Sequence, residues 1–317
     1  MKEKVKFNLY SILFEPNKSN SLLNSSAILE KVLHFVTPVN LGNKVHLVDR
    51  NKNRSESRPR ELFVDYVTYD YKVKRYKCRI VLIRTGRPPM LKPYDSHNLV
   101  SLEEIKQLGT LVEVTHFYID MSKTKPYLFV EFHANGPRAL DIEYYFRNVS
   151  RDMLSISKET KIQTYLDVSI DKVLDDMKDI SSFQIKIEPE RLEGVEQNLR
   201  KKYFTALSSF GRLVNSRFLT IKASFEISER NGVKYDNREA KTMLGRLLRS
   251  INNRTTELDS FKSLAIEYND MNGESRDINL IKHQKGFEIE IDFTTITKNK
   301  QWYELVKDEI DKIMLKL

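Results

Sequence analysis

The sequence predicts an α+β protein in which two mixed domains each carry a largely antiparallel sheet. Two observations lead to this fold class. Segments in which apolar residues alternate, typical of half-buried strands, are interspersed with segments of helical spacing, and the regular βαβ order of a parallel sheet is missing. The 317 residues also exceed what one ordinary core accommodates, which favours two domains.

The first predicted domain, residues 1–150, is rich in strands. An alternating segment at residues 5–9 is followed by the helical spacing of Ile28, Leu29, Val32 and Phe35, which predicts a helix over residues 25–36. Strands are then expected at residues 44–49, 61–69, 78–84, 111–120 and 126–132, the last two as a hairpin around the sequence MSKTK. Ser101 and Glu104 have the spacing of a capping box, which predicts a short helix over residues 102–108.

The second predicted domain, residues 151–317, repeats the mixture, and the boundary is expected between about residues 148 and 180. Strands are predicted at residues 182–188, 217–228, 263–268, 277–282 and 286–293, and helices over residues 191–207 and 238–252. The chain is expected to close with an amphipathic helix whose apolar stripe is Leu305, Val306, Ile310, Ile313 and Met314.

Composition narrows the class of protein. The single Cys78 excludes an internal disulfide and favours a reducing compartment, so we expect a cytoplasmic protein. No apolar run approaches the roughly 18 residues that a membrane span requires. The lysine-rich start continues into a short apolar stretch without a small-residue cleavage site, which predicts a first strand instead of a signal peptide.

The net charge of +9 is concentrated in the first domain, where 24 Lys and Arg residues face 16 Asp and Glu residues. The segment from Tyr71 to Tyr94 contains eight basic residues and no acidic one. In a strand, its cations would point to both faces, and burying them unpaired would be prohibitive, so we expect the segment to project into solvent. An anionic partner would relieve the repulsion between these like charges.

Nucleic acid is the predicted partner, because Tyr71 and Tyr76 interleave with the cations and suit contacts with sugars or bases. We expect duplex DNA, bound mainly through its phosphates and without strong sequence preference, with RNA as an alternative. An acidic protein, a membrane surface, or no ligand at all remain alternatives. The candidate contacts are Lys72, Lys74, Arg75, Lys77, Arg79, Arg84 and Arg87, with Arg50 and Arg54 upstream and Arg138 downstream. A secondary basic surface is expected in the second domain, at Arg200, Lys201, Lys202, Arg212 and Arg217 and on the helix with Arg238, Lys241, Arg246 and Arg249.

The sequence HANGPR, residues 133–138, lies between a predicted strand and a predicted helix, as phosphate-binding loops do. It has only one glycine and lacks the Lys-Ser or Lys-Thr pair of a Walker A loop. Asn135 and Gly136 are expected to supply a positive φ, and Pro137 to occupy the first helical turn. Only Arg138 is left without a role in such a turn, so the sequence favours a turn over an anion site.

Signals for an enzyme are few. The six histidines are scattered, and no HExxH, Cys-rich, G-x-S-x-G or GxGxxG motif is present. We predict neither a cofactor nor a bound metal. The alternative is a metal-dependent nuclease or toxin, in which Asp120 and Glu131 would face each other across the hairpin, or in which the Glu-x-Lys triplets at residues 159–161 and 239–241 would act.

Three pieces of the chain occur in an order found in known proteins. They are FVEFHANGPRALDIEYYF, with its Gly136-Pro137 turn, then SIDKVLDDMKDISSFQIKIEPE, and finally DSFKSLAIEYND followed by a terminal helix. This layout resembles the Rex exclusion protein A of temperate phages and, more loosely, the B component of the Kiwa antiphage defence system. The resemblance implies a cytoplasmic, dimeric DNA binder that senses phage replication or recombination structures and works with a separate membrane protein as effector. It carries over no functional residue beyond the Gly-Pro turn.

Overall fold

The computed structural model describes residues 2–52, 59–85, 90–91, 100–101, 109–133, 135–189, 197–225, 229–230, 233–234, 238–253, 258, 261–292 and 299–317. These residues form an α+β fold with two main antiparallel sheets, which confirms the predicted fold class. They divide into two compact units, Met1–Lys161 with Gly286–Leu317 as unit 1 and Ile162–Lys285 as unit 2. The predicted division at residue 150 assigned residues 286–317 to the second domain, whereas in the structure they belong to the first unit.

The strands lie along the chain as follows: β1 (Lys2–Pro16), β2 (Val48–Asp49), β3 (Glu61–Asp70), β4 (Arg75–Ile83), β5 (Met90–Leu91), β6 (Val100–Ser101), β7 (Val112–Asp120), β8 (Tyr127–Glu131), β9 (Ser157–Thr164), β10 (Asp179–Ile187), β11 (Leu219–Ser224), β12 (Glu229–Arg230), β13 (Val233–Lys234), β14 (Phe261–Asn269), β15 (Ser275–Asn279) and β16 (Gly286–Asp292). Of the predicted strand at residues 44–49, only β2 forms.

The helices are α1 (Ser25–Val36), α2 (Ala139–Arg147), α3 (Ile170–Asp176), α4 (Gln197–Leu199), α5 (Thr205–Leu213), α6 (Arg238–Asn253) and α7 (Asn299–Met314). A π-helical stretch, Asn148–Met153, follows α2, and another, Arg200–Phe204, joins α4 to α5. The predicted helix over residues 102–108 lies outside the described residues.

The sheet of unit 1 has the strand order β16-β1-β8-β7-β4-β3-β2, with β9 also paired to β1. Helices cover its two faces. Phe146 of α2 packs against Phe117 of β7, whereas Tyr303 of α7 packs against the next residue, Tyr118. Because successive side chains of a strand point to opposite faces, α2 and α7 lie on opposite sides of the sheet.

Helix α1 begins and ends at the predicted residues because its signals are local. Asn24 caps the helix by accepting a hydrogen bond from the Ala27 backbone N–H at 2.9 Å. Ile28, Leu29 and Val32 of its apolar stripe are fully buried, whereas Phe35 is half-buried.

Unit 2 is built around a four-stranded sheet of order β11-β10-β14-β15. The stripe of α6 packs into its core through Leu244, Leu247, Leu248 and Ile251, as the spacing of these residues predicts. Leu219, Ile221, Ala223 and Phe225 also pack against this core, whereas Ile227 lies outside the described residues.

Candidate nucleic-acid interface

The basic segment does not project into solvent at Arg75, contrary to the prediction. This side chain is only 2% exposed and lies in β4, directly opposite Asp120 of β7. Its Nε and Nη2 donate to Asp120 Oδ2 at 3.0 and 2.7 Å. Nη2 also donates to Asp311 of α7 at 2.7 Å, and Nη1 to the hydroxyl of Tyr303 at 3.1 Å.

These partners explain why a charged group is stable in the core. Burial alone would lower the pKa of Arg75, but the hydrogen bonds to Asp120 and Asp311 raise it above its ordinary value. Arg75 therefore stays charged and holds α7 on the sheet. It is a structural cation, and its burial speaks against the predicted contact with nucleic acid.

The next two cations on this face of β4 are also committed to partners. Lys77 donates to Asp70 Oδ2 at 3.1 Å, and its ammonium lies 3.8 Å from the centre of the Tyr303 ring. Arg79 forms a two-pronged ion pair with Asp65, in which Nε donates to Oδ1 at 2.8 Å. Both side chains remain partly exposed, but their charges are balanced within the chain.

Lys72 and Lys74 are predicted contacts that do face solvent. They lie in the turn between β3 and β4, where Lys74 adopts a φ of 53°. The Met121 backbone N–H donates to the Lys74 carbonyl at 2.9 Å, which joins this turn to the one between β7 and β8. That second turn carries two more exposed lysines, Lys123 and Lys125.

We call this group, Lys72, Lys74, Lys123 and Lys125, the lysine tips. In the described part of the chain, none of the four ammonium groups forms an ion pair. The sequence places the two pairs about fifty residues apart, so the prediction missed Lys123 and Lys125. The signal was present in the MSKTK turn, because lysines at a hairpin tip cannot be buried by the sheet.

The other predicted contacts in unit 1 are arginines that differ in their exposure and in their ion-pair partners. Arg50 donates from Nη1 to Asp141 Oδ1 at 2.6 Å, and it shares this carboxylate with Arg60. Arg84 is exposed and lies 3.3 Å from a carboxylate oxygen of Glu113. Arg54 and Arg87 lie outside the described residues.

The HANGPR segment turns the chain, although by a different means from the predicted one. Gly136 does not have a positive φ. Gly136 is required by packing instead, because a Cβ there would lie 2.5 Å from His133 Nδ1 and 2.7 Å from Thr115 Oγ1. Pro137 precedes the helix, and its carbonyl accepts a hydrogen bond from Thr115 Oγ1 at 2.9 Å.

The N-terminus of α2 already holds an anion from the chain itself. Asp141 Oδ2 accepts from the Arg138 backbone N–H at 3.0 Å, and the carboxylate also binds Arg50 and Arg60. Burial would raise the pKa of Asp141, but the charges of Arg60 and Arg50 outweigh it and hold the pKa far below its usual range. A phosphate has no place here, and Arg138, 5% exposed, stacks over Phe132 at 4.8 Å. This burial speaks against Arg138 as a nucleic-acid contact, which stays a prediction.

Asp120 and Glu131 do not form the metal-binding couple considered from the sequence. Asp120 pairs with Tyr127 in the hairpin, while Glu131 lies level with His116, which places the two carboxylates roughly 13 Å apart along the strands. Each has its own partner, Arg75 for Asp120 and His116 for Glu131, whose Oε2 accepts from the His116 backbone N–H at 2.9 Å. Among the described residues, no group of three His, Cys, Asp or Glu side chains is arranged to hold a metal ion.

Unit 2 presents the secondary basic surface in part. Lys201, Lys202, Arg217, Arg238, Lys241, Arg246 and Arg249 are exposed. Arg200 is half-buried, and the side chain of Arg212 lies outside the description. Phe218 is approached by three cations, with the Lys186 ammonium 5.0 Å, the Arg217 guanidinium 5.2 Å and the Lys262 ammonium 5.8 Å from its ring centre.

The sequence matches no protein-family model and no curated protein, so an assignment of function depends on the chemistry of these surfaces. Within the described residues, no helix combines the length and the apolar character that crossing a membrane demands.

Proposed function

We propose that the protein binds nucleic acid, duplex DNA in particular, through phosphates that contact the lysine tips. The observation that carries the proposal is the hydrogen bond from Met121 N to the Lys74 carbonyl, because it brings two lysine-bearing turns together at one end of the sheet. Four ammonium groups without an ion pair in the described residues form a local positive potential. Contacts from lysine to phosphate read no base sequence, so binding is sequence-tolerant.

The biological setting is part of the proposal and rests on the resemblance to the Rex and Kiwa proteins. We propose a cytoplasmic sensor in phage exclusion or antiviral defence, acting as a homodimer with a separate membrane protein as effector. Such a division of labour needs a DNA-binding surface on this chain and no catalytic group.

Fluorescence anisotropy with labelled duplex DNA, single-stranded DNA and RNA tests the binding function. A variant with Lys72, Lys74, Lys123 and Lys125 all changed to Ser should lose at least about tenfold in affinity for duplex DNA. For the unmodified protein, log K should fall with log salt with a slope of about −3 to −4, and the slope should approach zero in the variant.

A matched control removes the same charge elsewhere. Lys2, Lys4, Lys44 and Lys52 are also exposed, and their joint change to Ser should leave the affinity within about threefold. The proposal fails if the two quadruple variants lose affinity equally, or if binding does not respond to salt.

A further inference from the structure

An aromatic strip begins at the lysine tips and runs along one face of the sheet. Tyr71, next to Lys72 in the turn, is 84% exposed. Its ring meets that of Tyr69 edge-on at 4.8 Å, and the Tyr69 ring lies 4.4 Å from that of Tyr76. An exposed tyrosine that continues into a row of packed rings provides a surface on which another flat ring can stack.

The strip ends at an open surface pocket of about 600 Å³, whose lining residues are half-buried or exposed. Tyr76 forms part of its wall, together with Phe35, Leu154 and Ile156, and three polar side chains, Glu30, Lys31 and His34, complete the lining. An apolar pocket of this size with a few polar groups is the usual form of a small-ligand site. It is large enough for a nucleoside.

The polar groups suit the edge of a nucleobase. Glu30 offers acceptors for the exocyclic amino groups of cytosine, adenine or guanine. Burial, with a smaller contribution from the charge of Glu30, raises the pKa of Tyr76 to about 12, so its hydroxyl stays a donor at neutral pH. Lys31 adds a cation for a phosphate or for a base carbonyl.

We propose that the tyrosine strip and this pocket bind an unpaired nucleobase of a strand whose phosphates contact the lysine tips. A paired base is stacked on both sides and uses its edge for pairing, so only a base outside the duplex has a free face and edge. The positive charge of the adjacent tips favours nucleic acid as the occupant over an apolar peptide. This inference rests on the proposed function and adds that duplex DNA with single-stranded segments or extruded bases is bound more tightly than fully paired duplex DNA.

The test compares two labelled DNAs of equal length, a fully paired blunt duplex and a single strand. Tyr71→Ala should lower the affinity for the single strand by about tenfold, since stacking on one aromatic ring commonly contributes that much, and change duplex affinity by less than about twofold. Phe210→Ala, which removes another exposed ring in unit 2, should affect neither. Tyr71 is a surface residue, so thermal unfolding should be unchanged.

Occupation of the pocket is measured separately with 2-aminopurine placed in the single strand. Its fluorescence should change on binding, and Ile156→Trp, which places a bulkier side chain in the wall of the pocket, should reduce that change while salt-dependent binding persists. If this variant does not fold, Lys31→Glu at the rim serves in its place and should give the same loss. Equal loss on both DNAs with Tyr71→Ala, or no loss on either, would overturn this inference alone. Failure of all DNAs to bind would overturn the proposed function with it.

Discussion

Arg75 and Asp120 face each other across β4 and β7 as a buried ion pair, with Arg75 Nη2 2.7 Å from Asp120 Oδ2. Both side chains are almost fully enclosed, and Asp311 of α7 completes the arrangement. The most basic stretch of the sequence thus supplies a structural cation to the core. Its neighbours in the turn, Lys72 and Lys74, are the ones left for a ligand.

Arg75→Met should destabilise the fold by about 3–5 kcal/mol, because it leaves the buried charge of Asp120 without its counter-ion. Urea unfolding measures this directly. Trp302 is the only tryptophan, is buried against His116 and reports on the packing of α7. Lys72→Ser in the adjacent turn should change the free energy of unfolding by less than about 0.5 kcal/mol. If Arg75→Met were as mild as Lys72→Ser, Arg75 would not be the structural cation described here.

Asp141 should make stability depend on pH in the acid range. Its pKa is lower in the folded chain than in the unfolded one, so the stabilisation is complete above about pH 4 and is lost as pH falls towards the folded value. Asp141→Asn should therefore be less stable by about 3 kcal/mol at pH 7, and the gap to the unmodified protein should narrow below pH 4. Unfolding curves between pH 7 and pH 2.5 measure both effects. Asp308→Asn, at an exposed position, is the control and should change the free energy of unfolding at pH 7 by less than about 0.5 kcal/mol.

Gly136→Ala should destabilise the protein by about 1–3 kcal/mol through overpacking, because the new Cβ would press on His133 and Thr115. The same change in a His133→Ala background should cost less, since one of the two contacts is then removed. A loss that is identical in both backgrounds would contradict a steric cause at His133.

Gly245→Ala should have the opposite effect on stability to Gly136→Ala. Gly245 lies in α6, and apart from its chain neighbours and the backbone of its own helix, no described atom lies within 4 Å of the position that a Cβ would take. Alanine should therefore stabilise the helix by about 0.5–1 kcal/mol. Thermal unfolding of the two alanine variants should show shifts of opposite sign.

Arg138→Ala should leave DNA affinity unchanged within about twofold, because this side chain is buried over Phe132 and Asp141 occupies the helix N-terminus. Anisotropy titrations at a temperature well below unfolding check this. A large loss of affinity in a variant with normal thermal stability would show that the loop contacts phosphate.

Purified protein should leave DNA uncut in Mg²⁺ or Mn²⁺, because Asp120 and Glu131 are each held by a neighbouring side chain and lie far apart. Gel electrophoresis of supercoiled plasmid gives the measurement. Cleavage that disappears in Glu131→Gln while the protein stays folded would support the nuclease alternative.

Local features of the sequence were sufficient for the fold class and for most elements. Helix α1 follows from an asparagine cap and an apolar stripe, both within a few residues, and alternation identified β3, β7, β10 and β14 in the same way. The stripe of α6 was predicted residue by residue for the same reason. These predictions agree with the structure because each one depends only on residues that are close together in the sequence.

Only the tertiary structure decided which cations are available to a ligand. Arg75 is neutralised by Asp120 and by Asp311, 45 and 236 residues away, and no local pattern encodes such a pairing. Strand β16 and helix α7 return to the first unit from the end of the chain, and this return is equally non-local. The same holds for the contact between the two lysine-bearing turns. The net charge of a segment can be counted from its sequence. Whether a charged side chain faces solvent depends on the partners that folding brings to it. The sequence by itself therefore determined that the first unit is basic, and the fold determined where that charge faces solvent.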